Sequence, residues 1–299
     1  PDAILPFCGG QSALNLIYKL YHSGILEKYS IEILGFPIES LQCTEDTYLF
    51  NQTMQQLNYS VPESTKLNSV QEAEDLAEKI DYPSLIRSSF TTGGAGTNLV
   101  YNREELGVLA ARALNSCILK QASIEPSLFG WQELELEILR DAKDQGITLC
   151  TLENIDPVGI HSGDSICVYP WQTIDPDLQN QLRNMAFKIA RHLQVTGNLH
   201  IKFARDKKNG NIIPIAANLR TSRLTTISSK INGLNAAGIS ALLACGVTLD
   251  EIPSPQFETL KDFTSVTTNT LVKFPKWDLD KFKDAEDKLG PQMRSVGEA

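Results

Sequence analysis

Residues 84–98 read Ser-Leu-Ile-Arg-Ser-Ser-Phe-Thr-Thr-Gly-Gly-Ala-Gly-Thr-Asn. A short apolar run ends at Arg87, and a loop of small residues, 91–98, follows it. Glycines such as Gly93 and Gly94 allow the backbone to adopt positive φ and to approach a ligand closely. The N–H groups of such a loop can form a concave anion site, to which Arg87 adds a fixed charge. The stretch predicts a strand followed by a polyphosphate-binding loop, and a plain surface turn is the alternative.

Bulk composition limits the classes of protein to consider. The chain has 299 residues, is 42% hydrophobic and 21% charged, and carries a formal net charge of −9. This is typical of a soluble protein with one large or two to three small domains. The acidic balance argues against a general nucleic-acid binder or a binder of anionic membranes. No apolar stretch reaches the length of a membrane span, and the four His show no metal-ligand spacing.

The cysteines and the first residue bear on the compartment and on the boundaries of the chain. Six Cys lie far apart without a C-x-x-C pair. This pattern indicates free thiols in a reducing compartment, which we expect to be the cytoplasm, with the mitochondrial matrix as the alternative. The chain begins with Pro1 and enters at once on an apolar segment. We therefore expect it to be a fragment of a longer protein.

The N-terminal segments alternate between strand and helix patterns. Residues 3–7 are typical of a buried strand, 12–26 carry apolar residues at helical spacing, and 31–34 are typical of a second strand. A strand, a glycine turn, a helix and a strand predict a βαβ unit, and so the start of a doubly wound sheet in an α/β protein. The turn before the helix, residues 8–12, either binds a ligand or only packs the helix against the sheet.

Capping residues and apolar spacing predict the further helices and the C-terminal region. Helices are expected to begin at Thr44, and to span Ser69 to Ile80, Arg103 to Leu114, Pro176 to His192 and, as more than one helix, Ser229 to Cys245. Residues 252–257 are predicted to be a Pro-rich linker, 266–274 a strand, and 277–299 an irregular or helical tail.

Strict polar–apolar alternation marks residues 133–140. This pattern predicts a half-buried antiparallel strand that returns through a hairpin turn at 141–145. Glu133, Glu135 and Glu137 share one face of this strand, which we expect to be solvated. Glu133 lies beside a turn, however, so it is also a candidate for a site.

Two later segments carry candidate site residues. An Asn-Gly hairpin joins predicted strands 199–205 and 212–216, and Asn218, Arg220 and Arg223 follow directly. The Gly-punctuated loop 153–165 contains Gly159 and His161. A single loop histidine is more often structural than catalytic, so both roles stay open for His161.

Several stretches together resemble the large subunit of carbamoyl phosphate synthetase, in its first synthetase half. They are Gly9-Gly-Gln-Ser-Ala-Leu-Asn, residues 87–102, Gly130-Trp-Gln-Glu, residues 153–165, Asn218-Leu-Arg-Thr-Ser-Arg and Ser295-Val-Gly-Glu. The resemblance implies an α+β ATP-grasp fold. It divides the chain into the truncated end of a pre-ATP-grasp βαβ domain (1–42), an ATP-grasp domain (43–252), and a linker with the start of an oligomerisation region (253–299).

The resemblance also implies a ligase reaction. In that family the first half uses ATP with Mg²⁺ or Mn²⁺ to phosphorylate bicarbonate, and ammonia attacks the resulting carboxyphosphate to give carbamate. The transferred phosphoryl group needs cations, and Mg²⁺ needs hard oxygen ligands. A second synthetase half and a glutaminase or other ammonia source are implied outside this chain. In that family the final product, carbamoyl phosphate, feeds pyrimidine or arginine biosynthesis.

Individual positions match the binding residues of the family. The resemblance implies contacts with the nucleotide and its phosphates for Arg87, Gly93, Gly94, Glu133, Gly159 and His161. It implies a metal-side role for Asn218. It implies that Arg220 and Arg223 grip bicarbonate and carboxyphosphate, and that Asn218 acts with them in catalysis.

Other positions depart from the family pattern. Ala216 stands in place of a metal-bridging Glu, and Lys202 in place of a metal-binding Gln. Thr47 replaces an arginine, Pro126 a glutamate near the ribose, and His200 an asparagine near the metals. Lys202 is expected either to substitute for a cation beside the phosphates or simply to pair with Glu133.

These departures leave the activity of the chain uncertain, although a ligase is the leading hypothesis. The first hypothesis is therefore an enzyme that forms carboxyphosphate, with its metal chemistry weakened by these departures. The second is a non-catalytic ATP-grasp module that serves as a scaffold or regulator. A different ATP-grasp ligase, such as a biotin-dependent carboxylase or a purine-pathway enzyme, is the third.

Overall fold

The described residues, 1–265, 269–279 and 288–299, form a mixed α/β structure in a computed structural model. The helices are α1 (Gly10–His22), α2 (Ile25–Lys28), α3 (Ile38–Glu45), α4 (Thr47–Gln56), α5 (Val70–Leu76), α6 (Arg103–Ser116), α7 (Pro176–His192), α8 (Arg223–Asn232) and α9 (Ala236–Ala244). The strands are β1 (Ala3–Ile4), β2 (Glu32–Ile33), β3 (Thr65–Leu67), β4 (Ser84–Ser88), β5 (Asn98–Val100), β6 (Ala122–Pro126), β7 (Gln132–Arg140), β8 (Gly146–Asn154), β9 (Cys167–Tyr169), β10 (Gly197–Arg205), β11 (Ile212–Asn218), β12 (Leu271–Lys273), β13 (Pro275–Trp277) and β14 (Ser295–Glu298). The predicted fold class is confirmed.

The N-terminal βαβ unit is present but short. Strands β1 and β2 pair in parallel, and α1 and α2 connect them. Leu14 and Ile17 on α1 are buried, as their helical spacing predicts. The expected single helix is interrupted because Gly24 adopts a φ of 72°, after which α2 begins. Within the described residues the two larger sheets are antiparallel, so the expected doubly wound sheet does not continue beyond this unit.

A four-stranded antiparallel sheet of order β3-β6-β4-β5 carries the glycine-rich loop. Helices α5 and α6 pack on it around Leu67, Ile86 and Leu106, all fully buried. Arg87 and Ser88 end β4, and the loop that follows leads into β5. The predicted strand–loop unit is therefore confirmed, and its rigid sheet fixes where the loop begins.

A six-stranded sheet of order β11-β10-β7-β8-β9-β12 is the larger layer. One face buries Leu136 and Ile201 against α7 and the N-terminal helices. The opposite face buries Leu149 against α8 and α9. Both faces are therefore covered, and most of the apolar core lies on either side of this sheet. None of the described helices has both the length and the apolar character needed to cross a membrane.

The expectation that the glutamates of β7 are solvated is wrong. Glu133, Glu135 and Glu137 are only 5%, 4% and 0% exposed. Helix α8 covers part of this face, and the hydroxyl of Ser228 donates to Glu137 at 2.8 Å. Burial raises the pKa of Glu137, although hydrogen bonds to its carboxyl oppose the shift. Strand β7 is therefore a central strand, with carboxylates held by polar partners inside the protein.

Several element boundaries also differ from prediction. Helix α3 runs through Glu45, and Asp46 rather than Thr44 caps the next helix by accepting from two backbone N–H groups. Helix α8 begins at Arg223, six residues before the expected Ser229, because Ser222 and Thr225 form a capping box. In the tail, β13 and β14 form an antiparallel pair rather than a helix. Residues 266–268 of the predicted strand and 280–287 of the predicted tail lie outside the described residues.

Candidate functional site

A cavity of about 430 Å³ lies where the glycine-rich loop, the loop around 159–163 and the ends of β10 and β11 meet. Every site residue predicted from the sequence lines it: Arg87, Gly93, Gly94, Glu133, Gly159, His161, Lys202, Asn218, Arg220 and Arg223. Ala216 and Thr47 line it as well. Residues separated by more than 130 positions therefore line the same cavity.

The loop wall combines a fixed arginine with left-handed glycines. Gly93 and Gly94 adopt φ values of 63° and 70°, a region that favours glycine. Arg87 Nε donates to Glu125 Oε1 at 3.1 Å, and Asn51 Nδ2 donates to the other oxygen of Glu125 at 3.0 Å. These contacts orient the Arg87 guanidinium at the edge of the cavity.

Lys202, on β10, also lines the cavity. Its ammonium donates to Glu133 Oε1 at 3.1 Å and also to the hydroxyl of Ser162. Burial works against the charge, but Glu133 and Glu135 outweigh it and raise the pKa of the Lys202 ammonium. The pairing of Lys202 with Glu133, one of the two roles expected for this lysine, is therefore present.

A second polar chain runs behind Lys202. His200 Nε2 lies 2.7 Å from Glu135 Oε2, and Asn154 Nδ2 donates to Glu135 Oε1 at 2.8 Å. Burial disfavours the charge of Glu135, but Lys202 and His200 overcome it and lower its pKa. By contrast, burial raises the pKa of Glu133 despite the neighbouring Lys202. Lys202 contacts Glu133 directly and acts on Glu135 through its charge, and Glu135 is the carboxylate that holds its negative charge more firmly.

Asn218 reaches into this chain from the end of β11. Its Nδ2 lies 3.3 Å from His200 Nδ1. The side chain is therefore engaged by its neighbour on β10 rather than grouped with carboxylates. This placement is compatible with a polar contact to a ligand, and it joins Asn218 to the His200–Glu135 pair.

Arg220 is held by Gln11, which is itself held by Glu45, and sequence reasoning gave neither residue a role in the site. Its Nε donates to Gln11 Oε1 at 3.2 Å, and Gln11 Nε2 donates to Glu45 Oε2 at 2.6 Å. Burial raises the pKa of Glu45 to about 7, although Gln11 and Arg220 oppose the shift. The turn at residues 8–12 therefore does more than pack a helix, because Gln11 orients the guanidinium of Arg220.

Arg223, the first residue of α8, contacts the C-terminal segment, defined here as residues 290–298. Its guanidinium donates to Gly163 O at 3.1 Å, contacts Met293 Sδ at 2.9 Å and lies 3.6 Å from Glu298. Met293 N also donates to Gly93 O at 2.9 Å. The C-terminal segment thus joins the start of α8 to the glycine-rich loop.

Buried contacts fix this segment against the loop around residue 161. The backbone N–H groups of Arg294 and Ser295 both donate to the carboxylate of Asp164 at 2.7 Å. His161 N donates to Gly290 O at 2.8 Å. Sequence reasoning noted Ser295 to Glu298 only as part of a resemblance, and nothing in the local pattern indicated that the segment crosses the cavity.

His161 is held in its neutral form. Burial, with help from Lys202 and Arg223, lowers its pKa to about 3. Its Nδ1 accepts from Gly163 N at 3.0 Å, so the proton of the neutral ring lies on Nε2. The imidazole is therefore suited to donate one hydrogen bond at neutral pH, and it does not contribute a positive charge.

The lowered pKa predicts a stability change on the acid side. The unfolded chain takes up a proton on this histidine near pH 6.5, whereas the folded chain resists it down to about pH 3. Stability from His161 is therefore fully present above pH 6.5 and is lost as the pH falls, by about 2 kcal/mol between pH 7 and pH 5. His161→Asn keeps an acceptor for Gly163 N. Its urea-unfolding free energy is expected to fall less over this interval than that of the wild type, and an equal fall would contradict the assignment.

The donor set does not fit a divalent metal. Within the described ranges, no group of three or more His, Cys, Asp or Glu is arranged to hold a metal ion. Ala216 offers no side-chain oxygen, and the carboxylates nearest to it are engaged by Lys202, His200 and Asn154. The expected Mg²⁺ or Mn²⁺ site is therefore not formed by these side chains.

The cavity wall is positively charged overall. Among the described residues that line it are five cationic side chains, Arg87, Lys202, Arg220, Arg223 and Lys273, and three carboxylates, Glu45, Glu133 and Glu135. Lys273, which sequence reasoning missed, is held by Ser162 O at 2.8 Å and Gly163 O at 3.2 Å. In a chain of net charge −9, this local excess of positive charge favours an anionic ligand.

Solved structures define the class of this fold. The biotin carboxylase of Campylobacter jejuni superimposes with a TM-score of 0.68 at 19% identity, over 92% of this chain and 59% of that chain. The biotin carboxylase domain of the Hydrogenobacter thermophilus 2-oxoglutarate carboxylase gives 0.70 at 18%, over 94% and 60%. Rhizobium etli pyruvate carboxylase gives 0.71 at 15%, over 92% and 24%. The chain therefore has the ATP-grasp fold.

Sequence comparison assigns the family within this class. The family profile described as "Carbamoyl-phosphate synthase L chain, ATP binding domain" matches residues 46–252. The carbamoyl phosphate synthase large chain of Archaeoglobus fulgidus is 43% identical over 300 residues, and that of Acidobacterium capsulatum is 41% identical over 298. The chain belongs to the family of carbamoyl phosphate synthase large-chain ATP-binding domains. The two matches extend over 100% and 99% of this chain, but over only 28% and 27% of the length of the two relatives.

Proposed function

We propose that this chain is the carboxyphosphate-forming half of a carbamoyl phosphate synthase-type ligase. The observation that carries the proposal is the positively charged cavity, in which a glycine-rich loop faces Arg220 and Arg223. Loop N–H groups and Arg87 would hold the phosphates of ATP. Arg220 and Arg223 would hold bicarbonate beside the γ-phosphate.

The proposed reaction proceeds in two steps that need no covalent enzyme intermediate. A bicarbonate oxygen attacks the γ-phosphorus, the bond to the β-phosphate oxygen breaks, and ADP leaves. Ammonia then attacks the carbonyl carbon of carboxyphosphate, phosphate leaves, and the nitrogen loses a proton to give carbamate. Fixed guanidinium groups lower the barrier where negative charge develops on the transferred group. Neutral His161 would add a hydrogen bond without repelling these cations.

The same proposal gives roles to the remaining carried-over residues. Gly159 and His161 would border the nucleotide, and Glu133 would reach it from β7. Asn218 would assist Arg220 through its amide. Because the side chains do not form a metal site, no step of the proposed reaction is assigned to Mg²⁺ or Mn²⁺.

The surroundings of this half follow from the same proposal. The chain spans about 28% of the Archaeoglobus fulgidus relative. A second synthetase half, an ammonia source and an oligomeric assembly would therefore complete the reaction outside it. Residues 1–42 would be the end of the preceding domain, and 253–299 would lead towards the oligomerisation region.

Six free cysteines are compatible with a reducing compartment, for which we propose the cytoplasm, with the mitochondrial matrix as the alternative.

Bicarbonate-dependent hydrolysis of ATP tests the proposed function. Carboxyphosphate formed without ammonia decomposes in water, so ADP release is expected to rise when bicarbonate is added. The measurement starts from one buffer freed of dissolved carbon dioxide and compares ADP release after adding bicarbonate with release after adding chloride to equal ionic strength. A rate that is the same in both buffers would contradict the proposal.

A specific observation favours a second candidate function. Ala216 and Lys202 remove two oxygen ligands that the family pattern supplies for metal ions, and metal charge is worth several kcal/mol in phosphoryl transfer. The chain would then be a non-catalytic ATP-grasp module that binds an anion and serves as a scaffold or regulator. Binding of a non-hydrolysable ATP analogue together with no ADP release in either buffer would select this candidate.

A further inference from the structure

Lys202 places a positive charge on the cavity wall. Its side chain is 17% exposed and lines the cavity. An ammonium has three N–H donors, and within the described part of the chain two are taken, by Glu133 and by Ser162. The third N–H is therefore available to a ligand oxygen.

Ser162 can contribute a second donor beside the first. Its hydroxyl oxygen accepts from Lys202, and a hydroxyl carries a proton of its own that it can donate. Ser162 also lines the cavity. The ammonium and the hydroxyl are therefore two neighbouring groups on the cavity lining that can each donate to an anion.

The positions opposite Lys202 are unsuited to a divalent ion. The strand register pairs Lys202 with Ala216 on β11 and with Glu135 on β7. Ala216 brings no oxygen, and both oxygens of Glu135 have partners in His200 and Asn154. An ion seated here would lie against the Lys202 ammonium, and like charges at close range repel in a partly buried site.

We propose that this cavity binds the triphosphate of a nucleotide without a divalent cation, with the Lys202 ammonium and the Ser162 hydroxyl contacting phosphate oxygens. The nucleotide class rests on the proposed function. The metal independence rests on the contacts of Lys202 and on the lack, among the described residues, of a group of three or more His, Cys, Asp or Glu that could hold a metal ion. Lys202, which is paired with Glu133, thus supplies the charge that a metal ion would otherwise bring.

Calorimetric titration of the whole chain with the β,γ-imido analogue of ATP tests this inference. The Kd in excess EDTA is expected to lie within about threefold of the Kd in Mg²⁺. Lys202→Gln is expected to raise the Kd in EDTA by roughly tenfold or more, because a charge-assisted hydrogen bond to phosphate is lost. Lys208→Gln, which removes an exposed lysine on the β10–β11 hairpin, is the matched control and is expected to leave the Kd unchanged.

A second variant separates the effect of losing the Lys202 ammonium from the effect of leaving the charge of Glu133 unpaired. Lys202→Gln alone leaves Glu133 buried without its cation, which lowers stability and also repels phosphate. The double variant Lys202→Gln with Glu133→Gln removes both charges, so the local net charge is that of the wild type. It is expected to fold, as judged by circular dichroism, and still to bind roughly tenfold more weakly in EDTA. Wild-type affinity in the double variant would overturn the role of Lys202.

Restoring oxygen ligands is the converse test. The variant Lys202→Gln with Ala216→Glu is expected to bind the analogue more tightly in Mg²⁺ than in EDTA. Wild-type binding that requires Mg²⁺ would overturn the inference and leave the proposed function standing. Absence of binding in both buffers, for a chain shown to be folded, would overturn the nucleotide assignment as well, so the two failures are distinguishable.

Discussion

Arg220→Ala is expected to lower bicarbonate-dependent ATP hydrolysis by roughly a thousandfold, since the lost guanidinium is a fixed donor to the developing charge. The side chain lines the cavity, and its Nε is held by Gln11 at 3.2 Å. Its remaining N–H donors can therefore meet two oxygens of bicarbonate in a fixed geometry. Steady-state ADP release with saturating ATP and varied bicarbonate is the measurement.

Two matched variants sharpen this result. Arg220→Lys keeps the charge but loses the planar pair of donors, so its rate is expected to fall between those of the wild type and Arg220→Ala. Arg183→Ala removes an arginine on α7, whose contacts are Gln179 and Asn180 on the same helix, and is expected to leave the rate unchanged. Hydrolysis by Arg220→Ala at the wild-type rate would remove Arg220 from the proposed site.

Helix α7 shows what local sequence can predict. Its observed bounds, Pro176–His192, are those expected from apolar spacing, and Asp175 caps its N-terminus by accepting from Leu178 N. Proline in the first turn and a capping aspartate are local signals that need no information from elsewhere in the chain. The hairpins at 141–145 and 206–211 were predictable for the same reason.

Strand β7 shows what local sequence does not predict. Its alternation correctly predicted a strand, but it did not reveal which elements cover the glutamate face. The partners of Glu137 on α8 lie 88 and 91 residues further along the chain, at Thr225 and Ser228. Alternation with a period of two shows which residues share a face of the strand, but tertiary packing decides whether that face is buried. The sequence pattern consequently predicted solvated glutamates, whereas each of them is buried and contacts polar partners.

The candidate site divides in a similar way. The residues carried over from the family resemblance all line one cavity. The contacts that hold these residues in place were not predictable. Gln11 contacts Arg220 although 209 positions separate them, and Glu45 contacts Gln11 although 34 positions separate them. No short pattern records such contacts, because they depend on how the N-terminal βαβ unit docks beside β11. The C-terminal segment was missed for the same reason.

Gly94→Ala is expected to displace the C-terminal segment from the glycine-rich loop and to lower the free energy of unfolding by about 3 kcal/mol in total. A Cβ at Gly94 would lie 2.2 Å from the carbonyl oxygen of Pro291, so backbone must shift. The φ of 70° adds strain, of about 1–2 kcal/mol for an alanine in the left-handed region. Overpacking of this kind costs about 1–3 kcal/mol more. Urea unfolding and protection of residues 290–295 from protease are the measurements.

Gly93→Ala is the matched control, because it carries the same backbone strain without the overlap. Its φ is 63°, and the nearest atom to a new Cβ is Met293 Cβ at 3.6 Å, an ordinary contact. It is expected to lose only the strain of about 1–2 kcal/mol and to keep the segment protected. The difference between the two variants therefore isolates the packing of Pro291 on the loop. Equal losses, with equal protection from protease, would show that the segment does not rest on Gly94 in solution.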